Sequence, residues 1–390
     1  MRTRDNPRRV QAGLRFPPLL LSMAVPFIDL RRFESGFQET WVEKVAELSK
    51  NTAFVGGPEA AKLEDGIKSD CGVAHAIGCA NGTDALQLAL RGVGVGPGDT
   101  VLLPDATFWA TFEAVVNVGA RPVTVDISRD DLQMDFGLFQ QAAERLKPKA
   151  AMLVHLYGWG STRLDEFRSY CKANDILLVE DGAQAYGVSY RGKSIYADAL
   201  VSTISFYPAK VLGACGDAGA VVCNDEELAG RIRALANHGR TSHYSYGLVG
   251  WNSRMGGFEA AYLNHSREHL NARLDSRRKA AAAYREKLAP LGITTMGPPD
   301  GYVENGYLSV TLHEPARQQE LQAVLKEKGI GFGVVYPGAM SAQEGAGQWI
   351  QEQIGGDNAR WLSTAIINLP LFPYITEAEI DEVVDVLKSA

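Results

Sequence analysis

The 390-residue sequence predicts an α/β architecture: a mainly parallel sheet covered by helices on both faces, followed by a smaller C-terminal α/β domain. Three observations predict it. Short strand-like runs near 73–79, 100–103, 121–126, 149–155, 176–181, 199–206 and 218–223 alternate with helix-like segments, which is the pattern of parallel strands joined by crossover helices. With 46% of its residues hydrophobic, the chain is long enough and apolar enough to bury a large core. Beyond about Arg267 a long charged helix, NARLDSRRKAAAAYREKL, leads into a segment rich in proline and glycine, which marks a passage between domains. The expected division is an N-terminal extension over 1–24, a large domain over 25–266 and a small domain over 267–390.

The first residues, MRTRDNPRRVQAGLRFPPLLLSMAV, carry a basic front and a short apolar run that imitates a secretion signal. The run contains two prolines, has no small-residue cleavage site and is too short to span a bilayer. We therefore expect a mobile, dispensable extension. From Ser35 to Ser49 the apolar residues Phe37, Trp41, Val45 and Leu48 recur at helical spacing, and Glu59 to Ser69 repeats the pattern. In the C-terminal part we expect a strand near 306–312, a helix near 316–328, a strand near 332–335 and a closing helix from Glu377 to Lys388. The acids at the start of that last helix and Lys388 at its end suit the helix dipole.

A net charge of −7 without a basic stripe gives no electrostatic support for nucleic-acid or anionic-membrane binding. Five scattered cysteines show neither disulfide nor metal spacing and read as reduced cytosolic thiols, with Cys215 a small buried hydrophobe. The expected location is cytoplasmic. The glycines of GVGVGPG, at 92–98, follow a helix rather than a strand and lack the dinucleotide-binding frame, so this is a turn.

The chemistry concentrates in two stretches. In DILLVEDGAQAYG the apolar run Ile176 to Val179 reads as a buried strand, and Asp181 stands at its carboxyl end, where open α/β sheets hold ligands. An acid delivered there needs a cationic partner, which a protonated pyridinium nitrogen supplies. In STISFYPAKVLGACGDAGAVV the next strand delivers Ser205 and, just beyond it, Lys210 among small and apolar residues. Apolar surroundings disfavour an ammonium, and only a neutral amine attacks a carbonyl to form a Schiff base. An aspartate and a lysine on adjacent strand ends are the two protein groups that pyridoxal phosphate requires, although Lys210 alone also reads as a surface lysine at a turn. Upstream, ANGTDALQLALRG places Gly82 and Thr83 at a helix start, where free amides bind phosphate. Thr83 or Asp84 also reads as the helix cap. Phe108 and Trp109 in ATFWAT both qualify to stack on an aromatic ligand. His155 and His238 read as hydrogen-bonded structural histidines.

The chain resembles the DegT/DnrJ/EryC1/StrS family of sugar aminotransferases. The resemblance runs from about Val25 to the C-terminus. It rests on ordered motifs: FVGGPE at 54–59, ANGTDALQLAL at 80–90, GVGPGDTV at 94–101, ATFWAT at 106–111, VHLYG at 154–158, EDGAQAYG at 180–187, SFYPAKVLG at 205–213, GDAGAVV at 216–222, NHG at 237–239 and WNSRM at 251–255. It implies the fold-type-I architecture of pyridoxal-phosphate transferases, with AVPFIDL after Met23 as a natural beginning. Lys210 then carries the cofactor and shuttles protons, Asp181 pairs with its ring nitrogen, Phe108 covers its face, Gln184 touches its ring hydroxyl and Ser205 binds its phosphate. Asn252, in WNSRM, reaches across a homodimer interface to the neighbouring cofactor's phosphate. The related sugar dehydratases carry histidine in place of the lysine, so Lys210 argues for transamination.

The implied reaction takes nitrogen from an amino acid, most simply glutamate, and gives it to a keto sugar, nucleotide-linked in the first reading. A cyclitol or unactivated keto sugar, another pyridoxal-phosphate reaction, and a non-catalytic cofactor-binding sensor are the alternatives. The acceptor half departs from the family pattern. Val335 and Ser341 stand where the family often has histidines, around a retained Tyr336 and Pro337, Tyr186 replaces another histidine, and Gly256, Gly257, Phe258 and Glu259 replace the usual residues after NSRM. Loss of imidazole donors predicts a different discrimination among acceptor hydroxyls.

Overall fold

The computed structural model describes residues 24–390, so the extension expected over 1–24 lies outside the described residues except for Ala24. The centre is an eight-stranded sheet in the order His75–Cys79, Gly219–Cys223, Val201–Ser205, Leu177–Asp181, Ala150–Val154, Thr100–Pro104, Arg121–Val125 and Glu352–Ile354. The seven strands expected from the sequence all form. Gly219–Cys223 runs antiparallel to both neighbours, and every other adjacent pair is parallel.

Side chains alternate between the two faces of these strands, and each face has its own core. Leu102, Ala151, Leu153, Leu178 and Ile204 face the layer built around Phe139, Phe167 and Trp159. Val101, Leu103, Met152, Val179 and Val201 face the layer holding Leu86, Leu90 and Phe112. Burial on both sides explains why Ala150–Val154 and the start of Leu177–Asp181 read as unbroken apolar runs.

Helices Phe37–Lys50 and Gly57–Cys71 form where the periodicity places them, although the stripe on the first buries only Phe37 and Leu48 fully. Beyond Arg267 a 19-residue helix, Leu270–Leu288, leads to a small antiparallel sheet of Thr294–Thr295, Ser309–Leu312 and Ile366–Leu369. Helices Pro315–Glu327 and Glu377–Ser389 cover it around Tyr284, Leu325, Phe372 and Val383. The final helix opens on a capping box in which Thr376 and Glu379 satisfy each other's backbone N–H groups.

Two features depart from the sequence reading. The strand expected near 332–335 does not form: Gly333 makes one bridge to Asn368, and Val335 donates its N–H to Asn368 Oδ1 at 2.9 Å instead of continuing a ladder. The chain peels away there so that Val335 and Tyr336 reach a cavity. The short polar segment Glu352–Ile354, with no strand signature of its own, pairs in parallel with Arg121–Val125 and closes the edge of the large sheet.

Candidate active site

Strand Leu177–Asp181 lies between Ala150–Val154 and Val201–Ser205, parallel to both, so Asp181 and Ser205 emerge at the same carboxyl edge. A cavity of about 590 Å³ opens there. It is lined by Gly82, Thr83, Phe108, Asp181, Gln184, Ser205 and Lys210, bringing together seven of the eight site residues expected from the sequence.

Asp181 is 4% exposed. Its Oδ2 accepts from the Thr111 hydroxyl at 2.9 Å and its Oδ1 from the Ala183 N–H at 3.1 Å, while Thr107 shares a 2.8 Å bond with Thr111. Among the described residues no lysine, arginine or histidine forms an ion pair with this carboxylate. A buried carboxylate held only by neutral donors calls for a cationic group from whatever fills the cavity.

Lys210 sits on the turn after Val201–Ser205, its N–H donating to the Tyr207 carbonyl at 2.8 Å. Its Nζ donates to the Tyr307 hydroxyl at 3.3 Å and lies 5.1 Å from the centre of that ring. No carboxylate among the described residues ties up this amine.

Helix Gly82–Gly92 points its first turn at the same cavity. Its cap is Asn81, whose Oδ1 accepts from the Asp84 N–H at 2.8 Å, and neither Thr83 nor Asp84 caps it. Asp84 instead accepts from Ser253 Oγ at 2.6 Å. The amides of Gly82 and Thr83 have no partner within the helix and stay available to an anion. Two glycines permit the approach. A Cβ on Gly82 would lie 2.7 Å from Ser205 Cβ, and one on Gly219 would lie 2.4 Å from the carbonyl of Asn81.

Phe108 is 56% exposed and its ring meets that of Tyr336 at 5.7 Å. Trp109 is decided against, because it turns inward onto Phe112 at 5.1 Å. Gln184 is fixed at both ends of its amide: Oε1 accepts from the Tyr157 N–H at 2.6 Å and Nε2 donates to the Tyr336 hydroxyl at 2.9 Å. Burial, reinforced by Tyr307, Tyr157 and Asp181, pushes the Tyr336 phenol well above its usual range and keeps it neutral.

Asn252 is the exception. It is exposed, accepts from Arg254 at 2.6 Å and does not line the cavity of its own chain. Of the positions where family histidines are replaced, only Val335 lines the cavity; Ser341 donates to Asp105 and Tyr186 to Asp70. Cys215 is exposed, not the buried hydrophobe expected, because it lies in the loop before Gly219–Cys223 rather than on the strand. His155 is buried against Glu180 at 2.9 Å, and Glu180 takes two bonds from Arg168 at 2.8 Å each. Burial alone would raise the Glu180 carboxyl, but Arg168 and His155 outweigh it and hold it at about 2. His238, in a tight turn, donates its N–H to the Trp251 carbonyl at 2.7 Å.

The sequence reading missed Tyr307, Thr111, Phe27 and Glu113. Thr111 follows Phe108 by one helical turn, a spacing that offers a signal. Tyr307 and Phe27 arrive from distant segments and carry none.

Residues 37–388 match the profile of the DegT/DnrJ/EryC1/StrS aminotransferase family. The chain is 34% identical over 365 residues to a protein of Acidithiobacillus ferrooxidans named UDP-N-acetyl-3-dehydro-alpha-D-glucosamine 3-aminotransferase, covering 94% of this chain and 97% of that one. It is 35% identical over 359 residues to a Pseudomonas aeruginosa protein named UDP-2-acetamido-2-deoxy-3-oxo-D-glucuronate aminotransferase, covering 91% and 97%. The crystal structure of DesV from S. venezuelae superposes with a TM-score of 0.89 at 34% identity, covering 94% of this chain and 98% of DesV. The NtdA structure from Bacillus subtilis with bound cofactor PMP gives 0.86 at 25% identity, covering 94% and 84%. A mainly parallel sheet that carries an aspartate and a lysine to one cavity, and a family match over nearly the whole chain, lead to one conclusion: this protein belongs to the DegT/DnrJ/EryC1/StrS aminotransferase family.

Proposed function

We propose that this aminotransferase uses pyridoxal phosphate to move an amino group from an amino acid, glutamate in the first instance, to the 3-keto group of a nucleotide-linked sugar. The observation that carries the cofactor reading is the buried Asp181 carboxylate, without a cationic partner among the described residues, facing the same cavity as the Lys210 amine. Bound there, the cofactor supplies an electron sink for the negative charge left when a proton leaves the carbon bearing nitrogen.

The chain's own groups divide the remaining work. Asp181, oriented by Thr111 and Ala183, holds the protonated ring nitrogen. The Gly82 and Thr83 amides and the Ser205 hydroxyl hold the phosphate, and Phe108 shields the ring face from water. Gln184, fixed by Tyr157 and Tyr336, holds the ring hydroxyl. Lys210 would anchor the cofactor, and its amine, with Tyr307 as its resting partner, would hold and move the proton between the two carbons.

The substrate reading rests on relatives whose names specify 3-dehydro and 3-oxo UDP-sugars. We place the reaction in the cytoplasm, consistent with five free cysteines, and in a homodimer. No helix of the described residues is long and apolar enough to cross a membrane. The exposure of Asn252 away from its own cavity supports a role in the partner's site.

The test loads the enzyme with cofactor and glutamate, then offers 3-keto UDP-N-acetylglucosamine, its uronic acid, a 3-keto dTDP-sugar, a keto cyclitol and pyruvate. The expected result is transfer to a nucleotide-linked sugar. Efficient transfer to pyruvate, with none to any sugar, would sink the substrate reading and leave the aminotransferase reading intact.

A further inference from the structure

Away from the cavity, three potential metal ligands meet where helix Gly257–Arg267 passes into helix Leu270–Leu288: His265, Glu268 and His269. One donor atom from each lies within 4.8 Å of the others. None of the three lines the active-site cavity.

The arrangement is oriented, not merely crowded. His265 Nε2 lies 3.1 Å from the Phe37 carbonyl oxygen, which can only accept, so the imidazole proton is on Nε2. In the neutral ring Nδ1 then carries the lone pair, and it faces Glu268 Oε2 at 3.7 Å. The ring is held in plane by stacking on Phe37, centre to centre 4.2 Å. An imidazole that donates one N–H to a backbone carbonyl and turns its other nitrogen outward is the orientation in which histidine ligates a metal.

The neighbouring cations do not occupy the spot. Arg267 is paired with Asp70 at 2.7 Å, and Arg273, which stacks over Phe37, is paired with Glu34 at 2.7 Å. Among the described residues Glu268 has no lysine or arginine partner, and the His269 side chain makes no hydrogen bond. Glu268 is exposed, and from separations of up to 4.8 Å all three side chains would have to draw together to the roughly 3.3 Å between ligand atoms of a tetrahedral zinc site.

We propose that His265, Glu268 and His269 form a site for a divalent transition-metal ion of the zinc class, with water completing the shell. Two imidazoles and one carboxylate select such borderline ions over magnesium or calcium, which prefer all-oxygen sites. The bound ion pins the joint between the two helices to the first turn of helix Phe37–Lys50, so its effect is on stability, not on the chemical step.

The test uses cofactor-loaded enzyme carrying Cys215→Ser, because the exposed thiol itself takes zinc. This protein and its His269→Ala and Glu268→Gln derivatives are incubated with zinc chloride, gel-filtered and assayed for metal, with circular dichroism to establish folding. One zinc per chain is expected in the parent, with at least about ten-fold weaker binding in either derivative. Zinc should raise the melting midpoint of the parent clearly more than that of His269→Ala. A His243→Ala control, at an exposed histidine elsewhere, should bind as the parent does. Failure of the parent to retain zinc, or equal retention in folded His269→Ala, overturns the proposal.

Discussion

At the scale of single residues, the candidate site is an exercise in leaving charges uncommitted. Thr111 and Ala183 orient Asp181 without neutralising it, and Tyr307 orients Lys210 without an ion pair. Lys210→Ala should therefore keep the fold, lose all cofactor fixed to protein by borohydride, and lose transfer. Adduct surviving in that variant would contradict the assignment. Tyr307→Phe removes one hydrogen bond to the amine and should retain bound cofactor while slowing transfer by roughly ten-fold, on the scale of one polar contact of about 1.4 kcal/mol. An unchanged rate would show that Lys210 needs no such resting partner.

At the scale of elements, the helix start Gly82–Gly92 reaches the sheet only because Gly219 offers no side chain. Gly219→Ala places a methyl within 2.4 Å of the Asn81 carbonyl, where backbone and not a flexible side chain must yield. A loss of roughly 1–3 kcal/mol in unfolding free energy is expected, together with weaker cofactor binding, as fluorescence titration would show. The end of strand Thr100–Pro104 offers a second test. Asp105 accepts from the N–H and hydroxyl of Ser341 at 2.7 and 2.8 Å, tying down the loop that follows Tyr336. Burial nevertheless lifts its carboxyl from 3.8 to about 6, against the pull of the Ser341 donors. The folded protein thus holds this proton more tightly than the unfolded chain. The resulting stabilisation is complete below about pH 4 and is lost as pH rises through 6. Relative to Asp105→Asn, the native protein should lose roughly 2 kcal/mol between those values, measured as urea midpoints at pH 4, 5 and 7. A flat difference would show that Asp105 titrates normally.

At the scale of the molecule, the site is assembled from both halves of the chain. Tyr307, Val335 and Tyr336 come from beyond residue 300 and close a cavity whose floor lies at strand ends before residue 211, while Glu352–Ile354 completes the large sheet. If Asn252 serves the neighbouring cavity, Lys210→Ala and Asn252→Ala dimers should each be inactive or nearly so. Mixing them through reversible denaturation should restore activity, because hybrid dimers contain one site with both groups intact. No recovery in proven hybrids would place Asn252 in its own chain's function or in none.

What the sequence determined by itself is what local chemistry encodes. Buried strands such as Ala150–Val154 are legible as apolar runs because both faces of the sheet are covered. Asp181, Ser205 and Lys210 are legible because they stand just past such runs, where ligand groups emerge. The tertiary structure alone decided whatever depends on partners distant in the chain. Glu352–Ile354 is a strand because an open edge accepted it, and 332–335 is not one because Asn368 captured the Val335 N–H and the cavity took the side chains. Phe108 rather than Trp109 faces the cavity because the larger ring found Phe112 behind it. Asn81 rather than Thr83 caps the helix, because the cap is set by backbone direction at the strand's end and not by residue type alone. Tyr307 meets Lys210 across 97 positions of chain, a contact that no local periodicity could announce.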